Sequence, residues 1–94
     1  MLRITVQQSR QEVTIKLEGR MVGPWVEELR RTWKSLAPSV GSKALRIDLC
    51  EVTFVDTPGK QLLREICIAG ARFRADTALT KYLVGEIERS CYEE

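Results

Sequence analysis

Four consecutive residues, Asp56-Thr57-Pro58-Gly59, bring a carboxylate, a hydroxyl, a proline and a glycine together where an apolar run from Leu45 to Val55 gives way to a helical pattern. At a helix start the unpaired N–H groups and the macrodipole favour negative charge. Thr57 is therefore a candidate phosphorylation site, where a phosphate would add roughly 1.5 to 2 negative charges. The same corner could instead dock a partner protein. A purely structural role also fits, with Thr57 as an N-cap worth about 1 kcal/mol and Pro58 at the first helical position, and Asp56 could cap the same helix, bind a partner cation or do both. These readings are compatible, because a cap hydroxyl can also touch a partner.

Other chemistry-bearing residues are sparse. The chain has no histidine, which removes Ser-His and Cys-His nucleophile pairs, most zinc sites and the commonest general base near neutral pH. Asp48 lies in an otherwise apolar run with no base or carboxylate paired to it in the sequence, so it reads as a hydrogen-bonded structural aspartate near a sheet edge or end. Cys50, Cys67 and Cys91 are an odd number, lack metal-ligand spacing and sit among apolar residues, so they read as reduced cysteines in or near the core. Neither an enzyme nor a cofactor is expected.

Ninety-four residues allow one domain with one core, spanning 1–94. The 15 basic and 13 acidic residues are well mixed, which gives nucleic-acid binding little support. No apolar run approaches the roughly 20 residues of a membrane span. The start, Met-Leu-Arg-Ile-Thr-Val, lacks a signal-peptide layout, so the cytoplasm is the expected location.

Stepping outward from the corner, period-two alternation marks one strand at Leu2 to Gln7 and another at Val13 to Leu17, ending at Gly19, with a short polar link between them. Pro24 opens a helix whose apolar face is Val26, Leu29, Trp33, Leu36 and Ala37, with Trp25 partly exposed at its start. Pro38-Ser39-Val40-Gly41-Ser42 reads as its stop and a loop. Ala44 to Leu49 is a third strand, followed by further apolar residues at Val52, Phe54 and Val55. A second helix runs from about Pro58 to Ala69, with Leu62, Leu63, Ile66 and Ala69 inward, Gly59 close to the sheet and Gly70 as its stop. Phe73 to Asp76 is a short strand. Leu79 or Thr80 begins a last helix, with Leu83, Val84, Ile87 and Cys91 on one face. The fold class is α/β in the order β-β-α-β-α-β-α, an antiparallel hairpin followed by parallel crossovers into one mixed sheet packed with helices.

This order, together with Ile47-Asp48-Leu49, Val52 to Val55, Asp56-Thr57-x-Gly59 and Leu62-Leu63, resembles the STAS domain family, the small domains of anti-sigma-factor antagonists that are also found in sulfate transporters. Gly19 and Gly70-Ala71-Arg72 match further positions of the pattern, and the resemblance covers nearly the whole chain. It implies a bacterial signalling module in transcription regulation that binds proteins and does not catalyse. In antagonists the corner resembles Asp-Ser-Ser-Gly or Asp-Ser-Thr-Gly, whose second hydroxyl is phosphorylated by an anti-sigma kinase. Here Pro58 stands at that position, so the usual phosphate acceptor is absent. Arg20, Met21 and Val22 also depart from the Glu-Leu-Asp-like run of the partner-binding loop. Single-domain STAS subunits of lipid-transport ABC systems carry an Asp-Thr-Gly-Gly-like corner, which this chain matches at three positions of four.

The resemblance implies a protein partner, either an anti-sigma factor or kinase-like protein or a transporter ATPase, with no direct membrane insertion and with a homodimer left open. The expected partner-binding residues are Asp56, Thr57, Pro58, Gly59, Lys60, Arg64 and Ile68 on the second helix and its corner, and Arg20 and Met21 in the loop after the second strand. Ile68 is the one apolar residue on that helix's polar face and would form the centre of a patch with a basic rim.

Overall fold

The computed structural model describes residues 2–41 and 43–92. Its elements are β1 (Leu2–Gln8), β2 (Glu12–Met21), α1 (Pro24–Val40), β3 (Ala44–Val55), α2 (Thr57–Ile68), β4 (Arg72–Arg74) and α3 (Ala78–Tyr92). The order is the expected one. The four strands form one sheet, β1-β2-β3-β4, with β1 antiparallel to β2 and the other neighbours parallel. The expectations for Ser42 and for the Ala37 side chain fall outside what is described.

Alternation builds one wet and one dry sheet face. In β2, Val13, Ile15 and Leu17 are fully buried while Thr14, Lys16 and Glu18 are only partly so. Ile15 and Leu17 meet Val26 and Leu29 of α1, Leu62, Leu63 and Ile66 of α2, and Leu83 and Ile87 of α3 in a single core. On the opposite face Thr5, Lys16, Asp48 and Arg74 stand abreast across the four strands. Asp48 is thus hydrogen-bonded, as expected, but it lies in an interior strand rather than at a sheet edge.

Two strands run further than the sequence pattern suggests. β2 does not end at Gly19 but bends there, because glycine accepts a φ of 105°, and continues to Met21. β3 runs unbroken to Val55 and slips twice against β2, from Lys16↔Asp48 to Glu18↔Glu51 and from Gly19↔Val52 to Arg20↔Phe54. Each extra residue in β3 is a bulge that reverses which side chains point inward. The buried positions Ile47, Leu49, Val52 and Val55 therefore break period two and still line one core.

The helix boundaries also shift. α1 passes through Pro38 and ends at Gly41, whose φ is 52°. Pro38 lies in the last turn and has no N–H to donate, so one helical hydrogen bond is absent there. Ala69 is exposed at the C-cap of α2 rather than part of its buried face, which also includes Gly59 and Cys67. α3 begins at Ala78, held by a reciprocal threonine cap: Thr80 N–H donates to Thr77 Oγ1 at 3.1 Å and Thr77 N–H donates to Thr80 Oγ1 at 3.0 Å.

Candidate functional site: the corner between the third strand and the second helix

The corner starts where β2 and β3 end together. Met21 pairs with Val55, and Asp56 N–H donates to the Met21 carbonyl at 3.1 Å. Asp56, in extended backbone, is the N-cap of α2: its Oδ1 accepts from Gly59 N–H at 2.8 Å. Its Oδ2 accepts from Gly23 N–H at 3.0 Å, at the start of α1. The cap is therefore Asp56 and not Thr57. Thr57 is the first helical residue, and its side chain is left exposed beside exposed Pro58.

Gly59 is buried, and a Cβ there would sit 2.8 Å from Val55 Cγ1, 3.0 Å from Asp56 Oδ1 and 3.3 Å from the Met21 carbonyl oxygen. Glycine fits because the helix start packs directly against the buried Val55 side chain, the capping carboxylate and the end of β2, with no room for a Cβ. Asp56 and Gly59 hold the corner, and Thr57, Pro58 and Lys60 are what it shows to solvent.

Thr57, Gln61, Arg64 and Ile68 follow each other at helical spacing and run roughly 16 Å along α2 at 1.5 Å per residue. Ile68 is 56% exposed. Arg64 is half-buried in the groove between α2 and α3, where it lies with Thr57, Lys60, Gln61 and Ser90. Lys60 Nζ is 3.9 Å from Glu86 Oε2 of α3, a pair that crosses this groove. Glu65 turns the other way, toward α1, and pairs with Arg30 at 3.2 Å.

The two expected loop residues part company. Met21 lies in β2 and is fully buried, so its side chain belongs to the core and cannot meet a partner. It is held there by the extra strand residues beyond Gly19. Arg20 is exposed on the other side of the same strand, with its guanidinium carbon 5.4 Å from the centroid of the Phe54 ring.

Sequence reasoning missed a neighbouring feature. Phe54, Leu79 and Tyr82 are 48%, 57% and 67% exposed. They surround an apolar recess of about 170 Å³ between the end of β3 and α3, with Val55 and Leu83 on its walls and Lys60 on its rim. The available signal was positional and partial: Leu79 and Tyr82 are spaced i, i+3 beside the inward stripe of α3, whereas Phe54 shares a period-two face with Val52 and leaves it only through the second register slip.

On the open sheet face, Asp48 Oδ1 accepts from Cys50 N–H at 3.0 Å. Partial burial pushes the Asp48 carboxyl up, but the Cys50 N–H and thiol together with the Arg74 and Lys16 charges outweigh it and hold the group below its ordinary 3.8. Burial and then the Asp48 carboxylate push the Cys50 thiol above its ordinary 9.0. This arrangement makes a quiet thiol, not a nucleophile. Cys67 and Cys91 are buried. Among the described residues no three Cys, Asp or Glu side chains gather as a metal site, and no helix is long and apolar enough to cross a membrane.

No family model and no curated protein matches the chain. Solved structures do. The anti-sigma-factor antagonist SpoIIAA in its unphosphorylated form superposes with a TM-score of 0.62 at 18% identity, covering 88% of this chain and 82% of that one. An anti-sigma-factor antagonist STAS domain from Rhodobacter sphaeroides gives 0.59 at 18% identity, covering 79% and 84%. Mglu gives 0.60 at 19% identity over 78% of this chain, which spans only 19% of Mglu. At these identities the likeness is one of fold.

Proposed function

We propose that this STAS-like chain is a non-catalytic protein-interaction module that regulates a protein partner through the Asp56-Thr57-Pro58-Gly59 corner and the exposed stripe of α2. One observation carries the reading: Asp56 and Gly59 are locked by hydrogen bonds and close packing, while Thr57, between them, is exposed on a fixed helix start. A rigid, displayed corner loses little entropy when it docks. The likeness to two anti-sigma-factor antagonists supports a signalling role of that class in a bacterial cytoplasm.

Pro58 favours a second reading. With no hydroxyl at the position where the antagonists take their phosphate, the Asp-Thr-Pro-Gly corner also suits an accessory subunit docked constitutively on a lipid-transport ABC ATPase. The two readings differ in the partner, and in whether Thr57 is ever phosphorylated.

The experiment is affinity capture from native cytosol, identification of the bound protein, and comparison of its Kd for the native chain and for Thr57→Glu. An acid in the first turn of a helix is favourable, so this variant folds and any loss reports on the contact. The expected result is a loss of ten-fold or more. An unchanged Kd removes Thr57 from the interface.

A further inference from the structure

The recess beside the corner has its own shape and charge. Its floor and walls are apolar, from Val55 and Leu83, and its lips are Phe54, Leu79 and Tyr82. Those lips are three of the large apolar side chains that the described surface leaves exposed, and they come from two separate elements. Single exposed apolar residues are ordinary, whereas a cluster around a concavity marks a contact site. The volume, about 170 Å³, falls below the roughly 300–1,000 Å³ of a site for a cofactor-sized ligand. It is close to the void of about 150 Å³ that accommodates a benzene ring. One aromatic or branched aliphatic side chain fills it.

The surroundings specify what comes with that side chain. Two cations stand by the recess: Lys60 on its lining, where it pairs with Glu86, and exposed Arg20 over the ring of the Phe54 lip. The Lys60–Glu86 pair is long, at 3.9 Å, and solvent-exposed, so it is readily exchanged. Arg20 lies over the Phe54 ring and makes no ion pair among the described residues.

We propose that the recess between the end of β3 and α3 is an anchor pocket for one apolar side chain of a partner protein segment with acidic residues beside it. This rests on the reading that the Thr57 face meets a protein, and it supplies that partner's chemistry: an aromatic or leucine anchor in the recess and carboxylates over Lys60 and Arg20. Such a buried anchor inside a polar rim is the usual anatomy of a binding hot spot.

The test needs no identified partner. The isotope-labelled chain is titrated with a blocked Glu-Glu-Phe-Glu-Glu peptide while its amide resonances are followed. Saturable shifts are expected at Phe54, Lys60, Leu79 and Tyr82. Lys-Lys-Phe-Lys-Lys and Glu-Glu-Ala-Glu-Glu should each bind at least ten-fold more weakly. Leu79→Glu and Tyr82→Ala, both at exposed positions, should each weaken the first peptide by a similar factor. Shifts elsewhere, equal affinity for the basic peptide, or no response overturn the proposal. So does a dimer in sedimentation that Leu79→Glu dissociates, or tighter binding of dodecanoate than of the peptide. A chain that binds the peptide but contacts its captured partner independently of Thr57 keeps the pocket and loses the docking face. Partner binding that depends on Thr57 without any peptide response does the reverse.

Discussion

The carboxylate of Asp56 accepts a hydrogen bond from the backbone N–H of Gly23, 33 residues earlier in the chain, at 3.0 Å. Its other oxygen caps α2 through Gly59 N–H. One side chain therefore ties the start of α1 to the start of α2, and it does so where β2 and β3 finish side by side. The corner's rigidity is a property of this junction more than of α2 itself. Gly23 holds its place in the junction with a φ of 53°, a backbone conformation that residues with a Cβ rarely adopt, although a Cβ there would meet open space.

Asp56→Ala removes both bonds. Losing an N-cap costs about 1 kcal/mol and losing a second hydrogen bond to a charged acceptor costs about 1 kcal/mol more, so a destabilisation of about 2 kcal/mol is expected from urea midpoints at unchanged slope. Asp56→Asn recovers only part of this, since its amide nitrogen must face one of two N–H donors. A change of a few tenths in the alanine variant would mean that the junction is held by packing alone.

The two helical glycines should respond oppositely to alanine. At Gly59 the new Cβ meets Val55 and the Met21 carbonyl within 3.3 Å, and backbone cannot yield cheaply, so a loss of about 1–3 kcal/mol is expected. At Gly85, inside α3, nothing lies within 4 Å, and alanine should gain roughly 0.5–1 kcal/mol from helix propensity. Thermal denaturation of the two variants side by side checks both signs. Stabilisation at Gly59 would contradict the close approach of helix and sheet.

How much of this was legible depended on periodicity. The element order and the inward faces of α2 and α3 follow from apolar spacing, and the close approach at Gly59 from its place beside Pro58. The two bulges of β3 were not legible, because Ile47, Leu49, Val52 and Val55 share a face only after the register slips against β2, which is a pairing property and not a property of either strand. Met21 was misread for the same reason: nothing local shows that β2 continues past Gly19 until Val55 is placed opposite it. Asp56 and Thr57 are both cap candidates in the sequence, because either side chain can cap, and only the helix boundary decides for Asp56. The Phe54–Leu79–Tyr82 recess joins residues about 25 positions apart, beyond the reach of any window on the sequence.

Thr80 is fully buried and exchanges hydrogen bonds with Thr77 in both directions, while its hydroxyl also lies 3.3 Å from Asp76 N–H. Thr80→Val keeps the shape and strands those donors. A loss of about 1–3 kcal/mol is expected, together with faster amide hydrogen exchange confined to the first turn of α3. Because Leu79 and Tyr82 ride on that turn, the peptide response of the recess should weaken with it. Wild-type exchange rates at residues 77–81 would show that packing, not the threonine pair, sets where α3 starts.

Asp48 sets an acid-side dependence whose sign follows from its surroundings. Its folded carboxyl is held below the ordinary 3.8, so the charged form is favoured in the native chain. That stabilisation is complete above the ordinary value and is lost as pH falls through the lower, folded one. Asp48→Asn has no charge to protonate, so its stability should decline less steeply than wild type below about pH 4, the ordinary carboxylate range. The same substitution acts on Cys50, whose thiol is pushed up first by burial and then by this carboxylate. With the charge gone the thiol falls back toward its ordinary value, and alkylation of Cys50 by iodoacetamide at pH 8 should speed up while Cys67 and Cys91 remain protected in the core. Parallel acid limbs for the two proteins, with equal Cys50 rates, would show that the Asp48 charge is balanced by solvent and not by Arg74, Lys16 and the Cys50 N–H.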